Sequence, residues 1–102
     1  MLESDYPYTP TADVCEYDAT KGQLNVVSYK QITGTTTAMK DAVWRQPCAV
    51  AISAGTRTFQ TYKSGIITTK SCGITLNHAV TVVGYGSTFW IVKNSWGTSW
   101  GE

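Results

Sequence analysis

The chain has 102 residues, 42% of them hydrophobic and 15% charged, and a net charge of +1. That length bounds it to one small domain or a part of a larger one, and the composition excludes a disordered or collagen-like chain. Its eight Lys and Arg residues form no basic stripe and no apolar run approaches the roughly 20 residues of a membrane span, so neither nucleic acid nor a membrane is an expected partner.

Residues 3–22, "ESDYPYTPTADVCEYDATKG", are rich in Pro, Asp, Thr and Gly and read as an irregular surface segment. "QLNVVSYKQI" (23–32) has the β-branched and aromatic content of a strand, which Gly34 ends. "TTTAMKDAVWRQP" reads as a short helix capped by Thr35 or Thr36, with Ala38, Met39, Ala42 and Val43 on one face. Pro47 stops it, since proline has no N–H for the helical ladder. "CAVAISA" (48–54) is apolar throughout and is expected as a buried strand. "FQTYKSGIITTKSCG" reads as a loop with a strand around Gly65–Thr68. The fold class expected from these pieces is α+β: mainly antiparallel sheet with one short helix.

The last third is the most informative. "NHAVTVVGY" and "FWIVKNSW" are β-rich runs joined by the turn-forming "GST". A hairpin loop centred on Gly86 gives cross-strand partners an index sum of 172, pairing His78 with Asn94, Val80 with Val92 and Val82 with Trp90. A loop one residue different puts His78 and Asn94 on opposite faces. His78 is the only histidine, and a lone His on an apolar strand is more often a core residue satisfied by a carbonyl. An asparagine at reach changes that reading. Its oxygen fixes the ring's tautomer and leaves the other nitrogen outward, as a carboxylate does in serine hydrolases. A neutral orienter suits a nucleophile that is already anionic, and a cysteine beside imidazolium has its pKa lowered to roughly 3–4. Cysteine chemistry is therefore expected, with Trp96 covering the His–Asn bond from water.

"NHAVTVVGYG" followed by "WIVKNSWGTSWGE" resembles the histidine and asparagine motifs of the papain family of cysteine proteases, the cathepsin L-like endopeptidases. "DYPYTP" with Cys15, "AMKDAVWRQPCAVAI" and "FQTYKSGI…CG…NHAV" extend the likeness over nearly the whole chain. The resemblance implies the right-hand domain of the papain-like fold, a β half-barrel truncated at both ends, with residues 1–102 as a single partial domain. It implies a peptide or protein substrate, His78 as general base and acid, Asn94 as its orienter, and Trp96 as shield and leaving-group wall. Ala51, Leu76, Asn77 and Ala79 would line the substrate cleft, roomy because of the two alanines. It implies no cofactor and no metal, and a lysosomal, vacuolar or secreted location.

The likeness also has gaps. The family's nucleophile stands in a "CGSCW"-like segment upstream, and these residues contain none. By analogy Cys15 bridges to the missing upstream half and Cys72 to a cysteine beyond Glu102, while Cys48 reads as a small buried hydrophobe. None of the three begins a helix, so none is expected to serve as nucleophile. Ser95 neighbours Asn94 and points to the other face, which argues against a serine triad. Cys15, Cys48, Cys72 and His78 lack the short-range ligand pairs of a structural zinc site. The chain alone is thus expected to be inactive. A rival reading is a non-catalytic peptide- or protein-binding module, and an exposed former interface would favour self-association.

Overall fold

A computed structural model describes residues 1–68, 70 and 72–102. It divides into two compact units, Met1–Gln31 and Ile32–Glu102.

In the first unit, several backbone N–H groups find partners within the unit. Asp5 and Tyr6 donate to the Leu2 carbonyl at 3.0 and 3.1 Å, and Glu16 N–H donates to the Tyr6 hydroxyl at 3.1 Å. Asp18 caps a single 3-10 turn, Ala19–Lys21, by accepting from the Thr20 N–H and hydroxyl at 2.9 and 2.6 Å. The hydroxyl and the N–H together hold the Asp18 carboxyl below its ordinary range. The strand expected over 23–32 is not formed. Leu24, Val26, Val27 and Tyr29 are 90–94% exposed and no neighbouring strand pairs with them among the described residues. β-propensity expresses fit to a half-buried pleated surface, and such a segment has no ladder to join.

The second unit begins with helix α1, Thr36–Arg45. Thr35 is its N-cap, with Oγ1 accepting the Ala38 N–H at 3.2 Å. Gln46 closes it in an extended conformation, as the residue before Pro47 must. Val43 is buried, and with Met39 and Ala42 it packs on Cys48 and Val82 of the sheet. The helix and its buried face therefore match the sequence expectation.

Among the described residues three antiparallel strands follow: β1 (Cys48–Ile52), β2 (His78–Tyr85) and β3 (Trp90–Lys93), in the order β1-β2-β3. Strand β1 is an edge strand and alternates in burial, with Cys48 buried and Ala49 and Ala51 exposed. An apolar run without polar alternation had suggested burial on both sides. The small alanines instead occupy an open face. A short helix α2, Arg57–Gln60, takes in the first two residues of the segment expected as loop, and it buries Phe59. The expected strand near Gly65–Thr68 is absent: the Gly65 carbonyl accepts from the Tyr62 hydroxyl at 2.7 Å and the Gly65 N–H donates to the Glu102 carboxylate. These groups are spent on side chains rather than on a ladder. Thr69 and Ser71 of that loop lie outside the described residues.

The hairpin register differs from the expected sum of 172. Gly86 N–H donates to Phe89 O at 2.9 Å and Tyr85 pairs with Trp90, so the tight turn is Ser87-Thr88 and the sum is 175. An extra residue, Val83, then interrupts β2, and beyond it Val82 pairs with Val92 and Thr81 with Lys93, a sum of 174. Trp90, expected opposite Val82, pairs with Tyr85 instead, is 37% exposed and meets the Tyr85 ring edge-on at 5.8 Å.

Candidate active site

Strand β2 begins at His78 and β3 ends at Lys93, so the imidazole and Asn94 lie at the same end of the sheet. A sum of 174 is even, like 172, and keeps residues 78 and 94 on one face. Asn94 is diagonal to His78 rather than opposite, within reach of long side chains. His78 Nε2 lies 2.8 Å from Asn94 Oδ1. The Ser95 N–H donates to that same Oδ1 at 2.8 Å. A backbone N–H only donates, so the atom it meets is the amide oxygen and the amide cannot be flipped. An oxygen without a hydrogen in turn requires Nε2 to carry the ring proton. The basic nitrogen is therefore Nδ1. Asn94 Nδ2 is buried without a partner among the described residues.

Aromatic rings surround the pair. The Trp96 ring lies 4.9 Å from the imidazole at 30°, close to parallel stacking. Phe59 stands edge-on to His78 at 6.5 Å and to Trp96 at 5.4 Å. Trp100 packs on Phe59 at 5.1 Å, and its indole N–H donates to the Phe59 carbonyl at 2.8 Å. His78 is half-buried among these rings, more open than its apolar strand suggested. Phe59 escaped the sequence reading because its segment has Gly and Ser downstream; Thr56 ahead of Arg57 was the only helix-start signal.

The expected substrate residues fall into two sets. Ala51 and Ala79 are direct cross-strand partners, both exposed, and one position from Ile52 and His78 they project from the other side of the ladder. Leu76 is 66% exposed just ahead of β2. Asn77 is engaged within the unit: its Oδ1 accepts the Ala54 N–H at 2.9 Å and its N–H donates to Ile52 O at 3.1 Å. A groove of about 420 Å³ opens on the unit, lined by Ala51 together with Met39, Val50, Val82, Trp90 and Val92 among others. It contains neither His78 nor Asn94. Of the cysteines, Cys48 is buried under α1, Cys15 is exposed in the first unit, and the Cys72 carbonyl accepts from the Ser53 hydroxyl at 2.7 Å.

The family described as papain family cysteine protease matches residues 1–102. The chain belongs to the papain family of cysteine proteases. Among relatives of this papain-family chain, cysteine proteinase COT44 of Brassica napus is 47% identical over 98% of the chain and 32% of its own length. Zingipain-2 of Zingiber officinale is 43% identical over 98% of the chain and 47% of its own length. The chain thus spans about a third to a half of these relatives. Bromelain from Ananas comosus, solved with the E64 inhibitor, superposes with a TM-score of 0.81 at 38% identity, covering 98% of this chain and 48% of that one. The Carica candamarcensis cysteine protease CMS1MS2, solved with E-64, gives 0.80 at 33% identity, covering 99% and 48%. The α+β fold is therefore that of a papain-like protease fragment. No helix among the described residues is long and apolar enough to cross a membrane.

Proposed function

We propose that residues 1–102 are one partial domain of a papain-type cysteine endopeptidase, supplying the base and its orienter to a sulfur nucleophile on a segment outside these residues. The observation that carries the reading is the 2.8 Å bond between His78 Nε2 and Asn94 Oδ1, with the amide orientation set by the Ser95 N–H. With Nε2 protonated and held, Nδ1 exchanges protons with the thiol. The thiolate adds to the peptide carbonyl carbon, the C–N bond breaks, and the departing amine takes its proton from Nδ1 of the imidazolium. Water then attacks the thioester, gives a proton to Nδ1, and releases the carboxylic acid and the thiolate. Trp96 shields the Nε2–Oδ1 bond, where bulk water would compete for both groups.

On this reading the isolated chain does not turn over peptides, because the family's "CGSCW"-like segment does not occur in it. The partners are a peptide or protein substrate and the upstream protease half. Self-association through uncovered apolar surface is supported by Leu24, Val26, Val27 and Tyr29, each at least 90% exposed. A vacuolar, lysosomal or secreted location accords with the family alone. The test is to incubate the purified chain with a fluorogenic dipeptide and a thiol-reactive epoxide. Silence from the chain alone and turnover on adding the upstream half, abolished by His78→Ala, are expected. Probe-sensitive turnover by the chain alone would overturn the reading.

A further inference from the structure

We propose that Trp100 is a positioning residue, the brace that holds the two aromatic walls of His78 in place without itself contacting the imidazole. The inference rests on the base–orienter reading of His78 and Asn94. The two walls come from separate elements: Phe59 is carried by α2, and Trp96 is the third residue after the end of β3. Neither carrier fixes its ring alone. Helix α2 has four residues, too few to be self-supporting, and its N-cap Thr56 makes no side-chain capping bond. Thr56 Oγ1 is buried without a partner among the described residues. Trp96 in turn lies past the last pair of the β2–β3 ladder, Thr81 with Lys93.

Trp100 meets both walls. Gly97 and Gly101, at φ +79° and +76°, bend the chain on either side of it in a conformation that favours glycine. The Trp100 N–H closes the turn on Gly97 O at 3.4 Å, and the indole returns to Trp96, edge-on at 5.6 Å. The same ring packs on Phe59 at 5.1 Å and on Tyr62 at 5.2 Å. Its N–H donates at 2.8 Å to the carbonyl of Phe59, the residue whose ring faces His78. That carbonyl also accepts the Tyr62 N–H, at a longer 3.3 Å. Further ties run from Gly101 N–H to Tyr62 O at 3.1 Å and from Lys63 Nζ to Ser99 O. Both reach residues past the end of α2, whereas Trp100 bears on the wall residues themselves. With the walls held, water is kept from the bond between Nε2 and Asn94 Oδ1; without the brace each ring tilts independently and water competes for both groups.

His78 is the only histidine, so NMR of the whole chain reads its Nε2 proton as a single imidazole signal, without any activity. The exchange of that proton with water is measured at one pH, beside the amide protons of the β1–β2 ladder as a report on global opening. Trp100→Phe keeps a ring and removes the indole donor. Losing that one hydrogen bond should speed Nε2–H exchange about fivefold and leave the ladder amides unchanged. Trp100→Leu removes ring and donor together and should speed it further; should that variant fail to fold, Trp100→Phe decides alone. Unchanged Nε2–H exchange in Trp100→Phe overturns the proposal. Equal acceleration of the ladder amides overturns it too, because the indole would then serve stability and not the imidazole. Failure of the catalytic reading is a separate result: the exchange responds to Trp100 as stated, yet His78→Ala leaves turnover with the upstream half intact.

Discussion

The Ser95 N–H and His78 Nε2 converge on one oxygen, Asn94 Oδ1, each at 2.8 Å. The first contact identifies the oxygen and the second assigns the ring proton, so the orientation of the imidazole follows from a backbone group that every residue except proline would supply at position 95. Asn94→Ala deletes the acceptor, and losing a net hydrogen bond of about 1–1.5 kcal/mol corresponds to roughly a tenfold fall in kcat. Measured on the enzyme reassembled with its upstream half, kcat should fall while KM stays close to the parent value. Ser95→Ala keeps the backbone donor and should stay within about twofold on the same scale. A large loss for Ser95→Ala would mean that its hydroxyl, not its backbone, does the holding.

Phe59 touches His78, Trp96 and Trp100 and is itself buried, so it is the packing centre of the site. Phe59→Ala removes the one buried ring of the cluster and is expected to cost about 3 kcal/mol, read from urea denaturation of the chain. Tryptophan emission should shift to the red at the same time, because two indoles lose their apolar neighbour. Unchanged emission would place the ring outside the cluster.

The amphipathic run of α1, its threonine cap and its proline stop were legible because each acts locally and has its own residue type. The shared face of His78 and Asn94 was legible too, though by a different route. Parity survives a register error of two, and 172 and 174 differ by two. The turn and the bulge were not legible: "GYGST" permits several loop lengths, and an extra valine in a valine-rich strand leaves no compositional mark. Residues 23–32 look like a strand because Val and Tyr carry β-propensity wherever they stand, but only a neighbour turns propensity into a ladder. Phe59 needed tertiary information, since its ring meets residues 19, 37 and 41 positions downstream in His78, Trp96 and Trp100.

Thr35 offers a test of α1 without touching the site. Its Oγ1 satisfies the Ala38 N–H at 3.2 Å, and the helix packs Val43 against Cys48 and Val82. Thr35→Ala should destabilise the chain by about 1 kcal/mol, and Thr35→Ser should recover most of that, in equilibrium urea melts. Equal loss from both variants would mean that the threonine methyl, rather than the cap, matters.

The end of the chain is tied to α2 through Tyr62, and that tie should be sensitive to alkali. The Tyr62 hydroxyl donates to Gly65 O at 2.7 Å and lies 3.3 Å from the Glu102 carboxylate, which also accepts the Gly65 N–H. Burial of the half-buried phenol comes first in raising its pKa above the ordinary 10.0, followed by the negative charge of Glu102 and the hydrogen bond to it. A phenol with a raised pKa binds its proton more tightly in the folded chain than in the unfolded one. The stabilisation is therefore complete below the ordinary value and is lost as pH rises through the folded one, where phenolate would face carboxylate and the donation to Gly65 would vanish. Other tyrosines and lysines titrate in the same range, so the informative quantity is a difference. Melting temperatures of the parent and of Tyr62→Phe, followed from about pH 8 to about pH 11, should converge as pH rises, the parent losing an advantage that phenylalanine never had. Parallel curves over that range would show that the hydroxyl contributes nothing that depends on its proton.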